Sequence, residues 1–77
     1  MKYKYYIGII GEDNHISYVT KIDRETKCAF WTDGERAMTF TKTTADDYAF
    51  GLIANGFCAA VIKLPAFFEP TNVGATS

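Results

Sequence analysis

The sequence predicts one small α+β domain: an antiparallel β-meander, one helix packed on one face of the sheet, and a final central strand, in the order β-β-β-(β)-α-β. The chain has 77 residues, which is enough for one domain. Its first half consists of short runs of strand-forming residues separated by turn signals, and a segment of helical periodicity and a continuous apolar run follow. We therefore expect a domain over residues 1–65 and a C-terminal tail over residues 66–77, with Thr71–Ser77 disordered.

The first two strands are expected to pair as a hairpin. Residues Tyr3–Ile10 are rich in Tyr and Ile, which favour strands. Gly11–Asn14 has the composition of a turn. Residues Ile16–Ile22 then alternate, with Ile16, Tyr18, Thr20 and Ile22 on one face.

A third strand is predicted over Lys27–Thr32, after a polar turn at Asp23–Thr26. Asp33–Gly34 is a strong two-residue hairpin signal. Arg36–Phe40 is then either a brief return strand or an extended connection.

A helix is expected to begin at Thr43–Thr44, because either hydroxyl can cap the first free N–H groups. Asp46–Asp47 would then lie in its first turn, where negative charge favours the helix dipole. Asn55–Gly56 suits the end of the helix. Gly51, inside the helix, predicts close packing against a neighbour. The apolar stripe at helical spacing is Ala45, Tyr48, Ala49, Leu52 and Ile53.

The last strand is predicted over Phe57–Leu64, an apolar run that Pro65 ends. Such a run is typical of a central strand buried on both faces. One helix covers only one face of a sheet, so the face that carries Tyr6 and Ile10 is expected to be apolar and open.

Three short segments together resemble the many very short proteins encoded in phages and prophages of Gram-positive bacteria. These are Ala37–Thr41, the step through Thr44–Asp46 into the helix, and Asn55–Phe57 before the last strand. The resemblance covers roughly Ile16–Leu64. It implies an origin in a mobile element and no specific activity, and it carries over no functional residue.

Charge and motifs argue against several classes of function. The formal net charge of −1 provides no general attraction to nucleic acids or acidic membranes. The soft metal ligands His15, Cys28 and Cys58 are widely spaced and match no metal or catalytic motif. We therefore expect no metal, no cofactor and no enzymatic activity.

The expected location is the cytoplasm. No signal peptide is visible, and no segment approaches the roughly 20 apolar residues of a membrane helix. In that compartment Cys28 and Cys58 are expected to be reduced and buried.

Protein binding is the function that the composition favours. Aromatic residues make up 16% of the chain, and interfaces are enriched in them. An open apolar sheet face would also mark an interface. We expect either self-association as a homodimer through this face, or an inhibitor or accessory factor of a mobile element. The candidate interface residues are Tyr3, Tyr5, Tyr6, Ile10, Trp31, Phe67 and Phe68.

The alternative is a single-stranded nucleic-acid binder. Lys2, Tyr3, Lys4 and Tyr5 alternate basic and aromatic side chains along one strand. Exposed rings on a sheet can stack unpaired bases.

Overall fold

The structure, a computed structural model, describes residues 2–32 and 34–72. It confirms the α+β class, with antiparallel strand pairing and one helix among these residues. The elements are β1 (Tyr3–Ile10), β2 (Ile16–Tyr18), β3 (Lys21–Ile22), β4 (Ala29–Phe30), α1 (Lys42–Ala54) and β5 (Ala59–Pro65).

The first strand, and not the last, lies at the centre of the sheet. The three-stranded sheet has the order β2-β1-β5. β1 pairs with β2 at Ile10↔Ile16 and with β5 from Tyr3↔Pro65 to Ile9↔Ala59. The predicted central position of the last strand is therefore wrong. β5 is apolar on both faces for a different reason. α1 packs on one face, and on the other face Ile62 lies beside Ile16 and Tyr6 of the same sheet.

The predicted second strand is divided in two. Val19 still donates its N–H to the carbonyl of Ile7, at 2.9 Å, but Thr20 donates to the carbonyl of Phe30, at 2.8 Å. The chain leaves β1 between these residues, so β3 pairs with β4 in a separate two-stranded sheet. Backbone pairing therefore ends the regular alternation of the segment at this point, and Val19, on the face opposite to Ile16 and Tyr18, is fully buried.

The third strand is also shorter than predicted. Only Ala29–Phe30 pairs, because the turn bends at Lys27, which has a φ of 58°. Cys28 and Cys58 are exposed, so the prediction of two buried thiols is wrong. Beyond Asp33, which lies outside the described residues, Arg36–Phe40 is an extended connection with isolated bridges at both ends, Arg36↔Thr71 and Phe40↔Tyr5.

Helix α1 begins earlier than predicted. Thr41 is the N-cap, and its Oγ1 accepts the N–H of Thr44. Asp46–Asp47 therefore lies outside the first turn. Asn55 caps the C-terminus and Gly56 follows with a φ of 94°, which confirms the predicted end.

The helix buries a narrower stripe than its periodicity predicts. Ala45 and Ala49 are buried and Leu52 is half-buried, whereas Ile53 is 54% exposed. A Cβ added at Gly51 would meet nothing within 4 Å, so close packing does not explain this glycine.

The core lies between α1 and the helix-facing side of the sheet. Tyr5, Trp31 and Leu52 pack around its margin, half-buried. The buried cluster at its centre consists of Ile7, Ile9, Val19, Ala45 and Ala49.

No helix of the described residues is long and apolar enough to cross a membrane.

Candidate functional site: an open half of the sheet

The side of the sheet away from α1 is divided into a covered half and an open half. After β5 the chain turns, with Phe68 donating its N–H to the carbonyl of Pro65 at 2.9 Å. Residues 68–72 then cross this side of the sheet. The buried ring of Tyr6, 2% exposed, lies beneath them and donates its hydroxyl to the carbonyl of Phe68 at 3.2 Å.

The surroundings of Tyr6 in the covered half also keep its hydroxyl protonated. Its ring meets Tyr18 edge to face, with centroids 6.0 Å apart. Burial, and then the charge of Glu69 and the neighbouring Tyr18, raise the pKa of the Tyr6 phenol above its ordinary value. The hydroxyl therefore stays protonated and remains a donor to the tail.

The buried side chain of Asn72 fixes the end of this crossing. Its Oδ1 accepts the N–H of Tyr18 at 2.6 Å, and its Nδ2 donates to the carbonyls of Tyr18 at 2.8 Å and Thr32 at 3.1 Å. The amide thus pairs with the outer edge of β2 as a neighbouring strand would. The expectation of disorder from Thr71 onward is wrong for Thr71 and Asn72, and residues 73–77 lie outside the described residues.

The open half centres on Gly8. A Cβ added there would lie 2.6 Å from Cδ1 of Ile62 and 3.1 Å from Cγ2 of Ile16, so both isoleucines project over this glycine. Ile10 lies directly opposite Ile16 in the hairpin, and directly opposite residues share a face. Ile10 and Ile16 are 38% and 43% exposed. We call Gly8, Ile10, Ile16 and Ile62 the open apolar patch.

The chemistry of this patch suits binding. Cys58 borders it, because Ile10 donates its N–H to the Cys58 carbonyl at 2.8 Å. Within residues 2–32 and 34–72, no group of three or more His, Cys, Asp or Glu side chains is placed to hold a metal ion. The patch offers branched aliphatic surface, which is stabilised when a partner removes it from water.

Only one of the seven interface candidates lies on the patch, namely Ile10. Tyr6 is buried, which removes it as a contact residue. Tyr5 is half-buried at the core, and Trp31 packs edge to face on Phe57 with centroids 5.4 Å apart. The remaining candidates are exposed elsewhere: Tyr3 on the helix side of β1, and Phe67 and Phe68 in the turn after β5.

The structure does not bring the four nucleic-acid candidates together. Side chains alternate along a strand, so Lys4 lies on the opposite side of the sheet from Tyr3 and Tyr5. The ammonium of Lys63 lies 4.4 Å from the Tyr3 ring centroid, where a base would stack. These residues form no continuous basic and aromatic surface.

A cleft of about 630 Å³ separates α1 from the β3–β4 hairpin. Gly51 forms part of its helical wall, which accounts for the empty space around that residue. Among the described residues, the lining of the cleft contains neither His nor Cys, and its charged members are Lys27 and Asp47. The described residues that line it are Thr26, Lys27, Ala29, Thr44, Asp47, Tyr48, Gly51, Leu52 and Asn55.

Sequence reasoning missed Ile16 and Ile62 as site residues. The predicted hairpin contained a signal for Ile16, because a first strand that ends at Ile10 and a second that begins at Ile16 place these two residues opposite each other. No comparable signal existed for Ile62, whose place depends on β5 pairing with β1.

No protein-family model matches the chain, and neither a curated protein nor a solved structure matches it.

Proposed function

We propose that this protein is a small, non-enzymatic protein-binding module that captures a partner protein on the open apolar patch. The observation that carries the proposal is the exposure of Ile10 and Ile16 beside Ile62 on a strand surface that the chain covers at its other end. A protein partner that buries these side chains gains roughly 25 cal/mol for each Å² of apolar surface removed from water.

The division of the sheet into a covered half and an open half also limits the kind of partner that can bind. Residues 68–72 cover Tyr6, so the apolar area is smaller than a face-to-face homodimer of the whole sheet would use. The remaining patch suits an apolar protrusion, such as one side of a helix or a short loop. Because the patch holds no charged side chain, its contribution to binding is expected to depend weakly on salt.

The cellular setting is part of the same proposal. The resemblance to phage and prophage proteins supports an inhibitor or accessory factor of a mobile element. A cytoplasmic location suits the exposed thiols of Cys28 and Cys58, which stay reduced in that compartment.

The test compares two variants with the same chemical change in a pull-down from bacterial lysate. Ile16→Lys places a charge in the patch. Met38→Lys is the matched control, because Met38 is 38% exposed, close to the 43% of Ile16, but lies with Ile22 and Phe40 on the helix side of the sheet. Nuclease treatment of the lysate separates protein from nucleic-acid capture.

The expected result is one nuclease-resistant protein, retained by the wild type and by Met38→Lys and lost by Ile16→Lys. Circular dichroism must show that both variants are folded. A partner that Ile16→Lys retains would contradict the assignment of the patch, and capture that nuclease abolishes would favour nucleic acid.

A further inference from the structure

A second binding surface lies at the outer edge of β5. Within the described part of the chain, β5 pairs with β1 and with no other strand. Two bonds beyond its ends fix the pattern: Ile10 N–H to Cys58 O at 2.8 Å and Ala66 N–H to Lys2 O at 2.9 Å. Even-numbered residues of β5 therefore bond to β1, and Ala59, Val61 and Lys63 direct their N–H and C=O groups outward.

None of the hydrogen bonds among residues 2–32 and 34–72 reaches these outward groups. Exposed edges commonly carry a projecting charge that prevents strand addition. The single charge of β5 is Lys63, and its ammonium is turned back over the Tyr3 ring of its own sheet. The edge is therefore open to another strand along most of its length.

An apolar flank of α1 lies beside this edge. Ala45 and Ala49 face the sheet, while Asp47 and Gly51 line the cleft toward the β3–β4 hairpin. The hairpin is joined to the end of β2, where Thr20 donates its N–H to the carbonyl of Phe30 at 2.8 Å, so it lies toward the β2 side of the sheet. With 3.6 residues per turn, Phe50 and Ile53 fall on the other flank, above β5, and they are 75% and 54% exposed.

We propose that two copies of this chain associate by antiparallel pairing of β5 with β5, which makes one continuous six-stranded sheet with two helices side by side. The two-fold axis passes through Val61, which pairs with Val61 of the second copy. Ala59 pairs with Lys63 of the second copy, so no like charges lie opposite each other. This register satisfies all the outward groups, with about six backbone hydrogen bonds.

The position of α1 is the reason for choosing a second copy over another extended peptide. α1 packs on both β1 and β5, so its axis lies near the midline between them. Strands are about 4.8 Å apart, which places the helix axis about 5 Å from the two-fold axis. The two helices are then about 10 Å apart, a separation at which helices pack together.

The two-fold rotation that relates the two copies also brings their exposed Phe50 side chains together. α1 runs antiparallel to β5 after a short turn, with a rise of about 1.5 Å per residue against about 3.3 Å for the strand. Phe50 lies four residues, or about 6 Å, before the end of α1, and Val61 lies two residues, or about 7 Å, after the start of β5. Phe50 is therefore level with Val61, beside the two-fold axis, and meets Phe50 of the second copy. A lone peptide strand would leave both Phe50 and Ile53 exposed.

This dimer is independent of partner capture by the open apolar patch, and its test uses other residues. Sedimentation velocity of the full chain is measured from low micromolar to millimolar concentration. The variants are Phe50→Lys and its matched control Phe67→Lys, whose parent residue is 77% exposed but lies in the turn after β5. Neither substitution disturbs a buried side chain.

We expect a monomer–dimer equilibrium whose dissociation constant rises by at least about tenfold in Phe50→Lys and stays unchanged in Phe67→Lys. Amide hydrogen exchange provides the second measurement. The N–H of Val61 becomes protected as concentration rises, whereas the N–H of Ile62, bonded to β1, is protected throughout.

Several results would overturn the proposal. These are a monomer at millimolar concentration, a dimer that Phe50→Lys leaves intact, and equal weakening by both variants. Protection of Val61 in the dilute monomer would also overturn it, because the edge would then be covered within one chain. Loss of partner capture in Ile16→Lys with an unchanged dimer would leave the two surfaces distinct.

Discussion

Replacing Asn72 by Ala is expected to weaken the attachment of the C-terminal crossing to β2 while the native fold is kept. The side chain makes three hydrogen bonds, two to the backbone of Tyr18 and one to the carbonyl of Thr32. Each is worth about 1 kcal/mol, and an unpaired buried group costs more. Water can reach the exposed Thr32, which offsets part of the third loss.

The free energy of unfolding should therefore fall by about 2–3 kcal/mol, from a total of roughly 4–12 kcal/mol for a chain of this length. The midpoint of thermal unfolding should fall by roughly 8–24 °C. Urea titration followed by circular dichroism and Trp31 fluorescence measures both stability and the m-value, which should not change.

Two further variants sharpen the result. Asn72→Asp keeps an acceptor for the Tyr18 N–H but loses the donors to two carbonyls, so at neutral pH it should be at least as unstable as Asn72→Ala. Thr71→Ala, an exposed neighbour, should remain within about 0.5 kcal/mol of the wild type. A similarly small change in Asn72→Ala would refute the view that this amide closes the edge of β2.

Three other predictions concern single side chains. Gly51→Ala should stabilise the protein by about 1 kcal/mol in thermal unfolding, because its Cβ meets nothing; a loss of stability would reveal a close neighbour. Thr41→Ala should cost about 1 kcal/mol by removing the N-cap, and Thr41→Ser should restore it in the same assay. The raised pKa of Tyr6 means that its stabilising effect is complete below about pH 10 and is lost as pH rises through the folded-state pKa. Urea titrations at alkaline pH should show this loss in the wild type and lack it in Tyr6→Phe.

The parts of the fold that depend on residues close together in the sequence could be predicted from the sequence. The turn after β1 is confirmed, with Gly11 and His15 bonded at 2.8 Å. The helix stop at Asn55–Gly56 is confirmed because it requires only a left-handed residue after the last turn. The helix start was misplaced because Thr41, Thr43 and Thr44 offer equivalent hydroxyls, and sequence alone does not rank them.

Composition and periodicity therefore suffice for the α+β class, the helix and the first hairpin, since hydrogen bonds within a few residues and the spacing of apolar side chains specify these. The central position of β1 and the division of the sheet into covered and open halves depend on distant contacts. Tyr6 meets Phe68 across 62 positions and Asn72 meets Tyr18 across 54. No local pattern encodes such pairings, because each becomes favourable only after the packed sheet has brought its two segments together.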